Sequence, residues 1–393
     1  MNKINRLVLY LYAFTVPFQQ SVIIPGVGSL NTVFGMMLLL TTLITVLINR
    51  KIKKFPKSFL LLAVFMFISL ASIFWSAEMS DSILKAMLYA QLIFIFWCVY
   101  EFIDKKDRMH NLLKSFVLGC TVIAIQSLYF YFTMGPSIYT SSRFVLEGYN
   151  ANSLGIILAI GLVISVYLLF NESKKYFIFV PLGLFVVLLT GSRTALILVV
   201  LVSVSTLFYM FRYKVRFRKT IGLLFIVFAI YILNSTPEAQ LNRLSSVGNE
   251  LTSGTLNSRT VIWDAGIQVF KENPVFGVGV GSFQEATVGS SVLGVEMSSH
   301  NSYLSILVES GLLGFLPFAM FLIALIFFAW KTKYDKDLRW LSLSLITMWL
   351  ILSLASHAEV QKYTWIIFGI IVSSYFISRK FRDTNEECTV KNV

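Results

Sequence analysis

Twelve stretches of this chain are apolar over most or all of the length needed to cross a bilayer, and that constrains everything else. They fall near residues 7–18, 31–49, 58–75, 83–102, 111–132, 153–170, 176–190, 194–211, 220–234, 303–330, 338–355 and 363–378. A hydrocarbon core takes about 20 residues of helix to span. It offers no water to unpaired backbone groups, so runs this apolar must close their hydrogen bonds internally as helices. The strict alternation of a membrane β-barrel is absent. Composition agrees: 56% of the 393 residues are hydrophobic and 13% charged, where a soluble domain carries about a quarter. The expected fold is an all-α integral membrane protein with about twelve transmembrane helices.

The net charge of +13 would raise nucleic acid as a partner in a soluble protein. Here the basic residues cluster in short loops between apolar runs, so no nucleic-acid partner is expected. They set orientation instead. With the N-terminus placed in the cytoplasm, 26 of the 33 basic residues fall on the cytoplasmic side. The seven outside are Lys85, Arg143, Arg193, Arg243, Arg259, Lys271 and Lys362. Both termini are therefore expected in the cytoplasm. Cys98, Cys120 and Cys388 lack metal-ligand spacing, and Pro17 and Pro25 do not make a signal cleavage site.

The chain divides into residues 1–234 with nine spans, an external loop at 235–300, three spans at 301–378 and a cytoplasmic tail at 379–393. Long loops in compact proteins are usually functional or disordered. This one contains a helix-like stretch, Asn257 to Phe270, with Ile262, Gly266, Val269 and Phe270 on one face. Pro274 ends it, and Gly277, Gly279 and Gly281 follow. Its aromatic residues suggest that it folds back onto the membrane surface.

The external arginines are the first candidates for chemistry, because the cytoplasmic ones already have an explanation. Arg193 lies at a hairpin tip between two apolar runs. The run before it, about fifteen residues, covers roughly 22 Å of a core of about 30 Å, which places the tip below the outer surface. A guanidinium there is costly unless paired; the bland alternative is a side chain snorkelling to the headgroups. Arg259 opens the amphipathic stretch, where a solvated helix face is the alternative. Arginine forks bind phosphate bidentately, so two on one face suggest a pyrophosphate clamp. His300 sits where the long loop enters the next span, among good N-cap residues. The positive end of a helix dipole disfavours imidazolium, leaving a neutral ring able to accept a proton; an idle surface histidine is the alternative. Glu309, nine residues on, falls inside an apolar run, where a carboxylate is a functional candidate by default. His357 with Glu359 is a weaker external pair, and His110 is expected to be idle in a basic cytoplasmic loop.

No paired Asp or His cluster suggests a metal, and Gly277, Gly279 and Gly281 lack the context of a nucleotide fingerprint. Outward-facing groups have no ATP or nucleotide sugar within reach. An activated donor there must be attached to the membrane, and a polyprenyl-pyrophosphate glycan meets that requirement.

Three segments resemble the bacterial O-antigen ligase and polymerase family: Thr190 to Ala195; Arg259 to Trp263 running into Asn273 to Phe283; and His300 to Leu304 with Glu309 to Gly314. Arg143 followed by Asn152 to Gly155 resembles a further family element. The resemblance implies a membrane glycosyltransferase of GT-C-like architecture, without cofactor or metal, in the bacterial cytoplasmic membrane with its active site facing outward. Its donor would be an undecaprenyl-pyrophosphate-linked oligosaccharide and its acceptor a glycan, with membrane lipid around it and a chain-length regulator protein as a further partner. It assigns pyrophosphate binding to Arg193 and Arg259 and general-base catalysis to His300, with Arg143, Asn152, Asn301, Tyr303 and Glu309 as accessory candidates. A polymerase joins lipid-linked repeat units; a ligase moves the finished chain to lipid A-core. The compact, Phe-rich, low-charge chain favours a polymerase in style, and a glycolipid transporter is the rival from another class.

The alternation of basic loops yields a direct test. Cysteines introduced at Lys53 and Lys214 should be shielded from an impermeant thiol reagent in intact cells, and one at Gly254 should react. Labelling at position 214 from outside would overturn the orientation.

Overall fold

The computed structural model describes residues 2–214 apart from 27, 51, 135–138, 141–142 and 147, then 222, 230, 259–288 and 298–390. Helices α1 (Asn2–Thr15), α2 (Leu30–Asn49), α3 (Ser58–Ala71), α4 (Met79–Phe102), α5 (Lys106–Met134), α6 (Ala151–Asn171), α7 (Phe179–Leu189) and α8 (Arg193–Arg212) lie before the long loop. Within the loop are α9 (Arg259–Glu272) and α10 (Phe283–Val288); after it come α11 (Ser302–Lys331), α12 (Lys336–Leu352) and α13 (Lys362–Val390). Two short antiparallel pairs, Ile23–Ile24 with Gly28–Ser29 and Tyr139–Thr140 with Arg143–Phe144, accompany them. Helix occupies eleven of the twelve apolar runs; the run at 220–234 lies outside the described residues apart from 222 and 230. Among the described residues, α2, α4, α5, α6, α8 and α11 are long and apolar enough to cross a membrane. The protein is a mostly helical membrane protein.

Local chemistry sets the helix ends. The side chains of Ser29, Asn150, Ser192, Asn301 and Asp335 accept hydrogen bonds from the first-turn amides of α2, α6, α8, α11 and α12, replacing partners those amides lack. Arg50 closes α2 in the left-handed region, φ 48°. Helix α6 is the most enclosed of these spans, covered by α5, α7, α8 and α12. Its Gly161 lets α5 approach, since a Cβ there would stand 2.8 Å from Cys120 Sγ. Large apolar side chains remain on the outside, among them Leu47, Phe67 and Phe208 at about 70% exposure. A soluble domain rarely leaves so much apolar surface uncovered; lipid covers it at no cost. His110 is not a loop residue: it lies buried in α5, joined to Glu172 and to the Tyr167 hydroxyl at 3.0 Å, so it ties α5 to the end of α6.

The apolar run at 303–330 forms a helix with a break inside it. Gly311, at φ 56° and ψ −164°, interrupts α11 in a region that glycine alone occupies freely. A break there frees the carbonyls of residues 308 and 309 and the amides of 312 and 313. The Gly-rich segment after α9 supplies the replacements. Val278 N–H donates to Val308 O at 3.0 Å and Gly279 N–H to Glu309 O at 2.9 Å, while Leu312 and Leu313 N–H donate to the carbonyls of Pro274 and Val275 at 2.9 and 3.1 Å. Four loop bonds thus take the place of the helical bonds from 312 to 308 and from 313 to 309. Irregular backbone at membrane depth is tolerated only when buried in protein in this way. The same segment reaches the α3–α4 turn, where Val280 N–H donates to Ser72 Oγ and Ser282 Oγ meets Ser76 Oγ at 2.6 Å.

The amphipathic stretch is α9, and protein covers its apolar face. Ile262 and Val269 are buried with Phe283, Leu304 and Val308, each fully buried aliphatic side chain contributing about 1.5–3 kcal/mol. Trp263 Nε1 donates to Ser299 O at 2.9 Å, fixing α9 to the segment that carries His300.

Gly277 shows how tight the seal is. A Cβ there would come within 2.5 Å of Glu309 O and Gly311 N, at φ +69°, whereas Gly26, at φ +78°, has nothing within 4 Å. Gly277→Ala should lower the thermal unfolding midpoint in detergent well beyond Gly26→Ala, which carries only the left-handed penalty of about 1 kcal/mol. Equal shifts would mean that the loop does not seal the helix.

Candidate active site

Helix starts converge at one end of the bundle. At α8, Gly191 (φ +56°) and the buried Thr190 and Ser192 form a tight turn, with Thr190 Oγ1 donating to Val187 O at 2.6 Å. The turn sets Arg193 at the first residue of the helix. The start of α6 packs directly on it, since a Cβ at Gly155 would stand 2.7 Å from Ala195 Cβ and 3.0 Å from Thr190 Oγ1. Asn152 sits in that first turn of α6, its amide bound to Asn150 Oδ1 at 2.8 Å. Arg143 is described by its backbone, in the two-residue strand paired with Tyr139–Thr140.

Arg259 is the first residue of α9 and lies near enough to Arg193 for the two charges to repel. Partial burial, and then the Arg193 charge, lower the proton affinity of the Arg259 guanidinium; an arginine keeps its charge through such a shift. Among the described residues no carboxylate pairs with Arg259. Helix N-termini carry partial positive charge, so cations are disfavoured there. Two arginines near enough to repel, Arg193 standing at such a terminus, make a place that an anion stabilises.

His300 occupies the segment just before α11, at φ 47°. A left-handed conformation costs a residue with a side chain about 1–3 kcal/mol, and the surroundings hold it there. Asn301 Oδ1 accepts from the amides of Tyr303 and Leu304. Ser302 N–H donates to Ser353 O, and Ser302 Oγ donates to Ser356 O at 2.8 Å and accepts from Ala358 N–H at 2.9 Å. Tyr303 OH donates to Leu350 O at 2.9 Å, so this tyrosine serves to lock α11 on α12. The His300 amide donates to His357 Nε2 at 3.1 Å, and the two rings stand 5.7 Å apart. Although the ring reaches solvent, crowding by the surrounding chain lowers its proton affinity, and repulsion from His357, whenever that ring is protonated, and from Arg259 lowers it further. These effects favour the neutral imidazole of His300, whose Nε2 lies 3.2 Å from Ser298 Oγ.

His357 and Glu359 belong to this site more closely than their sequence separation suggests. Because His357 Nε2 accepts from the His300 amide, its proton sits on Nδ1, which faces Glu359 Oε1 at 3.4 Å. Burial opposes ionisation of Glu359, yet the neighbouring His357, followed by Lys85, outweighs it and holds the carboxyl below its ordinary range. Glu309 is not a lone intramembrane carboxylate. Lys85, from the first turns of α4, pairs with both its oxygens at 2.7 and 2.8 Å. That pairing accounts for one of the seven basic residues expected on the external side.

Residues 177–319 match the family model described as O-antigen ligase. This stretch is just over a third of the chain and runs from Phe177 to Ala319, past the middle of α11. No match was found among curated proteins. The matched stretch contains Arg193, Arg259, His300, Asn301, Tyr303 and Glu309, and it leaves outside Arg143, Asn152, His357 and Glu359. Over residues 177–319 the chain is thus similar to the O-antigen ligase family, and the match does not separate polymerases from ligases.

Proposed function

We propose that this protein is a membrane glycosyltransferase that polymerises glycan repeat units carried on undecaprenyl pyrophosphate, on the outer face of the bacterial cytoplasmic membrane. The observation that carries the reading is the proximity of Arg259 to Arg193, which stands at a helix N-terminus, and of His300 to Arg259. Such a place favours a group with two or more negative charges, and pyrophosphate supplies them on a lipid that reaches the site from within the membrane. The twelve-span GT-C-like arrangement, with both termini in the cytoplasm, accords with the bias of basic residues. A ligase would use the same donor chemistry and differ in its acceptor, lipid A-core; the compact, low-charge chain favours the polymerase.

In this mechanism Arg193 and Arg259 hold the pyrophosphate and stabilise the charge that grows on it as the glycosidic C–O bond breaks. His300 accepts the proton of an acceptor hydroxyl while that oxygen attacks the anomeric carbon. Undecaprenyl pyrophosphate leaves with the bonding electron pair, and attack from the opposite face inverts the anomeric configuration. The chain's own groups supply the proton acceptor and the counter-charge, so the proposed reaction proceeds without a metal.

Arg193→Ala and Arg259→Ala should each weaken capture of a labelled undecaprenyl-pyrophosphate oligosaccharide by roughly 10- to 100-fold, the loss of one or two charge-assisted hydrogen bonds. Lysine replacements should rescue only partly, because an ammonium lacks the fork. Wild-type capture by both alanine variants would leave these residues as membrane anchors.

His300→Ala should retain donor and lose transfer by about 10²–10⁴-fold. The base works only unprotonated, so turnover falls as pH drops through its pKa. Since burial, His357 and Arg259 depress that pKa, the acid limb should lie below the ordinary histidine value of 6.5. An acid limb above that value would remove His300 as the base.

A further inference from the structure

A cavity of about 380 Å³ adjoins His300 on the side of Ser298 and His357, between α4, α10, α11 and the α12–α13 turn. Its charged lining is Asp81, Lys85, Glu309, His357 and Glu359. With Lys85 already paired to Glu309, the balance is acidic, opposite in sign to the arginine side of the site. Glu359 is completely buried, and neither of its oxygens has a hydrogen-bond partner at ordinary distance among the described residues; His357 Nδ1, at 3.4 Å, and Ser302 are its polar neighbours. A buried carboxylate with open lone pairs is costly unless something donates to it. Leu84, Leu88, Phe283 and Val360 give the cavity apolar walls.

We propose that this cavity is the acceptor subsite: it holds one neutral sugar, whose hydroxyls donate to Glu359 and whose C–H face lies on the apolar walls. The inference rests on the glycosyltransferase reading above and adds the ligand of a second, separate region. Sugars suit such a lining, because they bring several donors and no charge. A phosphate is repelled by the same carboxylates, so donor and acceptor sort themselves by sign: pyrophosphate to Arg193 and Arg259, sugar to Glu359. The volume lies at the lower end of small-ligand pockets, about 300–1,000 Å³, room for a sugar residue and not for a polyprenyl tail. Ser298 and His357, which line the cavity, both touch His300, so a hydroxyl at the cavity mouth lies beside the proposed base.

The test uses the full chain in detergent with two probes. One is the delipidated oligosaccharide repeat unit, followed by saturation-transfer NMR; the other is the labelled undecaprenyl-pyrophosphate oligosaccharide, followed by capture. Glu359→Gln should weaken binding of the free oligosaccharide by about tenfold. Gln284→Trp, an exposed position on the cavity wall, should abolish it by filling the space, without the folding risk of a buried change. Both variants should capture the lipid-linked donor as the wild type does, and inorganic pyrophosphate should not displace the sugar. Wild-type sugar affinity in both variants, displacement by pyrophosphate, or no sugar binding by the wild type would each overturn the subsite. Failure of the wild type to capture donor would instead overturn the functional reading, and the sugar titration would still decide the cavity.

Discussion

The arrangement depends on the exchange of hydrogen bonds at Gly311. A helix broken inside a membrane protein must find partners for the amides and carbonyls it releases, and here one segment, Pro274 to Gly279, provides all four. That exchange does more than seal the helix. It fixes the end of α9, and through Trp263 and Ser299 it fixes the approach to His300. It also fixes Glu309, whose carbonyl accepts from Gly279 while its carboxylate faces Lys85. The three glycines 277, 279 and 281 are required for contact: added Cβ atoms would strike α11, Ser76 and Asp81 respectively.

The site is built by a division of charge. Cations gather where α8 and α9 begin, and carboxylates gather between α4, α11 and the α12–α13 turn. His300 lies at the boundary, held in a strained backbone conformation by its neighbours on both sides. Its depressed proton affinity follows from that position. The main-chain bond to His357 gives that second histidine one tautomer and ties it to the same segment.

Much of the architecture was legible in the sequence, because hydropathy reports helices directly. The apolar face of α9 was readable from Ile262, Gly266 and Val269, and the start of α11 from Asn301. The break at Gly311 was not readable, since a glycine inside an apolar run is ordinary in membrane helices, and its partners lie more than thirty residues away. His357 was underrated for a related reason: it is 57 residues from His300 and adjoins it only because Ser302 is bonded to the turn that follows α12. The Lys85–Glu309 pair spans 224 residues, a separation across which a single sequence carries no signal. Long-range pairing of polar groups is the information that hydropathy omits.

One further consequence concerns the membrane beside the site. The regular part of α7 has eleven residues, about 16 Å of helix, against a hydrocarbon thickness near 30 Å. A bilayer meeting so short an element relieves the mismatch by thinning along it or by admitting water and headgroups. The Thr190–Arg193 turn stands at the end of that element. On the proposed reading, a polar membrane surface drawn down toward this turn brings a lipid phosphate to Arg193 while its tail stays among the acyl chains.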